Sequence, residues 1–82
     1  MTGARLGAGV PPRREVLTLL AYAETGSHKM AAHRLGVSES TSRQRVSLLC
    51  RRLGAANAAQ AVWRLRERLA AEEQLRDGRS SG

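Results

Sequence analysis

The chain has 82 residues, 41% of them hydrophobic but only Tyr22 and Trp63 aromatic, and a formal net charge of +7. This length leaves room for one small core, and the lack of β-branched and aromatic runs excludes a sheet, so an all-α domain packed through Leu, Val and Ala is expected. The single Cys50 excludes an intrachain disulfide, and no apolar run approaches the roughly 20 residues of a membrane span, so a cytoplasmic protein without membrane attachment is expected.

In chain order, residues 1–10 contain three Gly and little to bury, and are expected to form a flexible arm. Pro11-Pro12 opens the domain, since proline is tolerated in a first helical turn and disfavours helix before it. Val16, Leu19, Leu20 and Ala23 follow at i, i+3, i+4, i+7, which predicts an apolar face on a first helix over 12–24. Ser27 caps a second helix over 28–35 with Ala31 and Leu35 inward, and Gly36 stops it. Val37 plugs the corner, and Ser38 caps a third helix over 39–53 whose apolar stripe is Val46, Leu49, Cys50 and Leu53. Asn57 with Gln60 resembles a capping box and opens a fourth helix over 58–74 carrying Ala58, Ala61, Val62, Leu65 and Leu69 on one face. The folded unit should thus be a four-helix domain over 11–76, followed by a flexible tail over 77–82.

The charge is unevenly placed. Between His28 and Gly54 there are six Lys/Arg against one acid, Glu39, so this stretch carries +5 of the net +7. Surplus positive charge confined to one segment is the electrostatic footprint of a polyanion site.

The same segment has the form of a helix-turn-helix, because only Gly36, Val37 and Ser38 separate the second and third helices. In that geometry the second of the two helices enters the major groove of duplex DNA while the first crosses the backbone. At about 100° per residue, Val46, Leu49, Cys50, Leu53 and Ser42 share one arc of the third helix. Ser40, Gln44, Ser47 and Arg51 fall on an adjacent arc with Arg43 at its edge, and Arg45 and Arg52 lie on the opposite flank. Glu39 sits at the helix start, where the dipole favours an acid. Arg43 has the donors to pair with guanine O6 and N7, and Gln44 those to pair with an adenine edge. Ser40, Thr41, Ser47 and the flanking Arg45 and Arg51 are suited to phosphates, as are Ser27, His28 and Lys29 at the start of the second helix.

Glu15-Val16-Leu17, the run from Lys29 through Gly36-Val37-Ser38 to Thr41, Leu53-Gly54, and Asn57-Ala58-Ala59-Gln60-Ala61-Val62 together resemble the LuxR-type (GerE-like) helix-turn-helix family over roughly 11–69. The resemblance implies a four-helix DNA-binding transcriptional regulator, often dimeric through the fourth helix. It places base reading at Arg43, Gln44 and Ser47 and backbone contacts around Thr41 and Arg45. The chain departs from the family pattern at Ser42, where an apolar residue is usual, at Ser47, where a basic one is common, and by one extra residue within 22–27.

Two other uses of such a fold remain open at this level. One is a promoter-recognition module of sigma-factor type working on RNA polymerase, and the other is an adaptor that docks a separate regulator protein through the fourth helix. Val62, Leu65 and Leu69, with Trp63 about 100° off their stripe, are either internal packing or a homodimer face. His28, His33 and Cys50 are too few for a closed zinc site, no cofactor is expected, and no nucleophile-base pair or phosphate loop suggests an enzyme.

Overall fold

A computed structural model of the protein describes the backbone of residues 11–81 and the side chains of residues 11–74. Among these residues there are four α-helices and no strand: α1 Arg13–Thr25, α2 His28–Leu35, α3 Glu39–Leu53 and α4 Ala58–Ser81. The arm expected over 1–10 lies outside the described residues, as does Gly82. Expected helix boundaries hold to within one residue except at the end of α4, which continues to Ser81 rather than stopping near 74. Its Ala, Leu, Glu, Gln and Arg residues up to Arg76 are strong helix formers, and the helical backbone also takes in residues 77–81 of the expected flexible tail. No helix among the described residues is long and apolar enough to cross a membrane.

Local chemistry sets the helix ends. Pro12 carbonyl accepts from the Glu15 and Val16 N–H groups at 3.1 and 3.2 Å, starting α1 without a side-chain cap. Ser27 Oγ accepts from Met30 N–H at 3.2 Å, and Ser38 Oγ accepts from Thr41 N–H at 3.1 Å. Each such cap contributes about 1 kcal/mol by satisfying a donor the helix leaves orphaned. At α4, Asn57 Oδ1 accepts from Gln60 N–H, while Gln60 Oε1 accepts from Ala56 N–H, both at 2.8 Å. The capping box therefore forms, with Gln60 reaching one residue further back than the usual reciprocal bond.

The corner between α2 and α3 depends on Gly36. Its φ of 69° is left-handed, which lets Val37 N–H turn back and donate to Ala32 carbonyl at 3.0 Å. A Cβ added at Gly36 would meet no atom within 4 Å. Glycine is thus demanded here by backbone conformation rather than by crowding.

The core is built from Leu19, Val46, Leu49, Leu53, Ala61 and Leu65, with Val16, Tyr22, Cys50, Ala58 and Val62 packed against it. α1, α2 and α3 pack against one another, and α4 lies against α3 and α1. The expected stripe of α3 is the buried one: Ser42, Val46, Leu49 and Leu53 are inside, with Cys50 half-buried.

The expected face of α1 requires correction. Leu20 is 41% exposed and Ala23 is exposed, while Glu15, Thr18, Leu19 and Ala21 are buried. The helix is rotated by about one residue, and both polar side chains this buries are satisfied, Thr18 by its own helix and Glu15 by α3. Thr18 Oγ1 donates to Arg14 carbonyl at 2.7 Å. Arg52 donates to Glu15 from Nε at 2.8 Å and from a second nitrogen, Nη2, at 3.2 Å. A buried carboxylate is tolerated only with such pairing, and a two-pronged guanidinium is the strongest form of it.

Candidate nucleic-acid interface

α3 is fastened at both ends by polar contacts to other helices. Near its C-terminus Arg52 joins it to Glu15 of α1. Near its N-terminus the fully buried Ser42 Oγ shares a hydrogen bond with His28 Nδ1 of α2 at 2.9 Å. The His28 ring also stacks on Tyr22 of α1, with centroids 4.1 Å apart and planes 15° from parallel. Ser42, an exception to the family pattern by sequence, thus has a specific internal partner.

These contacts leave one side of α3 open. Ser40, Arg43, Gln44, Ser47 and Arg51 are exposed together, as their arc on the helix predicts, and Thr41 and Arg45 are half-buried. At the start of α2 Ser27 is half-buried and Lys29 exposed. Ser38 Oγ–H donates to Thr41 Oγ1 at 2.9 Å, which orients the Thr41 hydroxyl at that turn.

His28 stands apart from the other expected phosphate contacts, because its ring is engaged with Tyr22 and Ser42. Its pKa is held below the usual 6.5, first by burial, then by the positive charge of Arg43, with Glu39 acting in the opposite direction. The neutral ring is therefore favoured, and His28 adds little to the positive field of the site.

The cations divide into two groups. Arg34 pairs with Glu24, Arg43 with Glu39 and Arg52 with Glu15. Two of these acids belong to α1, so folding trims the surplus of the 28–54 segment below what its sequence shows. Among the described residues Lys29, Arg45 and Arg51 show no ion pair, which leaves them as unneutralised charges on α2 and α3.

Glu39 is the residue that the sequence reading underused. Arg43 Nη2 donates to Glu39 Oε2 at 2.7 Å, and both side chains remain open, at 60% and 43% exposure. The i, i+4 spacing of acid and base was visible in the sequence. The Ser42–His28 and Glu15–Arg52 contacts join residues 14 and 37 positions apart, and no local pattern encodes them.

On α4 the expected dimer stripe divides. Leu65 is buried in the core and Val62 packs against it, whereas Trp63 is 61% and Leu69 55% exposed. Burial pushes the half-buried Cys50 thiol up, away from the reactive thiolate. An open cavity of about 450 Å³ between the end of α1 and the start of α4 is lined by Tyr22, Ala23, Gly26, Asn57, Ala58 and Ala59. None of these lining residues carries a charge.

No family model, curated protein or solved structure matches the chain.

Proposed function

We propose that the protein is a sequence-specific, duplex-DNA-binding transcriptional regulator of the LuxR-type helix-turn-helix class, without catalytic activity, that inserts α3 into the major groove. The observation that carries this is the division of α3. One face is buried and tied down at both ends, while an adjacent exposed arc presents Ser40, Arg43, Gln44, Ser47 and Arg51. A groove-reading helix needs that rigidity, because base-edge hydrogen bonds tolerate little displacement. Arg43 and Gln44 read bases, with Ser47 contributing beside them. Ser27, Lys29, Ser40, Thr41, Arg45 and Arg51 set the register on phosphates. Selection of bound duplexes from a random pool tests this: a single enriched motif supports it, and a pool that stays random rejects it.

The exposure of Trp63 and Leu69 favours a second property, self-association through α4. Trp63 and Leu69 lie about 120° apart around α4, so they form no continuous coiled-coil seam and the association would be weak. Analytical ultracentrifugation of the wild-type chain and of Trp63→Ala/Leu69→Ala, with and without the selected duplex, reads it. Two protomers per duplex for the wild type and one for the variant are expected, and equal stoichiometry for both would reject it.

A further inference from the structure

We propose that Glu39 is a specificity-determining residue, which aims Arg43 at a guanine and weakens binding to all other sequences. The proposal rests on the DNA reading of α3 above and names a determinant within that site. Glu39 is the first residue of α3, where a carboxylate is favoured by the helix start, and Arg43 follows one turn later. Their hydrogen bond, Nη2 to Oε2 at 2.7 Å, lies in the first turns of α3 with both side chains open to solvent. An exposed i, i+4 pair contributes little to folding, so its main consequence is geometric.

A guanidinium has five donor hydrogens. One is committed to Glu39, and two parallel donors remain to meet guanine O6 and N7 together. Holding the long side chain beforehand removes part of the ordering cost that docking would otherwise incur. The same carboxylate opposes the wrong complex. If Arg43 swings away to a phosphate, Glu39 is left unpaired close to the DNA backbone and repels it. Discrimination then comes from an attractive and a repulsive contribution acting together.

The experiment uses the full chain and the duplex enriched by the wild type, together with duplexes altered at each guanine and one unrelated duplex. Fluorescence anisotropy is recorded for wild type, Glu39→Gln, Glu39→Ala, Arg43→Ala and Glu39→Ala/Arg43→Ala, with circular dichroism melts to verify folding. Both Glu39 variants are expected to bind the unrelated duplex more tightly and to lose roughly tenfold in preference at one guanine. In the Arg43→Ala background, removing Glu39 should leave base preference unchanged. An enriched wild-type motif whose guanine preferences survive in both Glu39 variants would overturn the proposal while sparing the DNA reading. So would an equal loss with and without Arg43. A wild type that enriches no motif would overturn both.

Discussion

His28, expected as a phosphate contact, stacks on Tyr22 and bonds Ser42 through Nδ1. One ring thus joins three helices beside the proposed DNA face, and its depressed pKa turns this into a pH dependence. Because the folded value lies below the usual 6.5, the unfolded chain takes up the proton first as pH falls. The contribution to stability is complete above about 6.5 and is lost as pH drops from there through the lower folded value. Melts between pH 8 and pH 5 should show a fall in Tm that is smaller in His28→Gln. Equal slopes for the two proteins would mean that His28 is not the titrating group.

At the scale of elements, most of the helix layout was legible and one helix face was not. Ser27, Ser38 and Asn57 as caps, with Gly36 at the corner, act within a few residues of themselves, so sequence alone places the helix ends they flank, though not the end of α4. α3 reads correctly because its buried positions are apolar apart from the small Ser42. α1 does not, because counting apolar residues cannot anticipate that Glu15 and Thr18 go inside. Glu15 is buried only because Arg52, distant in sequence, meets it with two nitrogens. The Glu15–Arg52 contact is asymmetric, since the carboxylate is 3% and the guanidinium 39% exposed. Glu15→Gln should cost about 1.5–3 kcal/mol, the range for a hydrogen bond to a charged group. Arg52→Met should be worse, because it strands a buried carboxylate, and Glu15→Met/Arg52→Met should recover part of the loss. Urea denaturation of the three variants checks the order. A double variant less stable than both singles would show that apolar side chains cannot fill the space.

For the molecule as a whole, the exposed arc of α3 was readable from helical periodicity, but the distribution of charge across the fold was not. Glu24 and Glu15 come from α1 to pair with Arg34 and Arg52, so counting charges along the segment overstates the field. Lys29, Arg45 and Arg51 are the cations left to meet phosphates. Replacing any one by Ala should weaken binding about equally on all sequences and reduce the slope of log affinity against log salt by about 1. Anisotropy titrations over a salt series measure this, and an unchanged slope would remove that residue from the backbone contacts.

The central claim is that α3 reads bases, and the specificity ratio of Arg43→Ala tests it most directly. Affinities of wild type and variant are compared on the selected duplex and on a scrambled one of equal length at fixed salt. Base reading predicts a loss on the selected duplex of about 1–3 kcal/mol and a much smaller change on the scrambled one. Equal losses on both would make Arg43 a phosphate contact and contradict base reading at the position where it is expected most strongly.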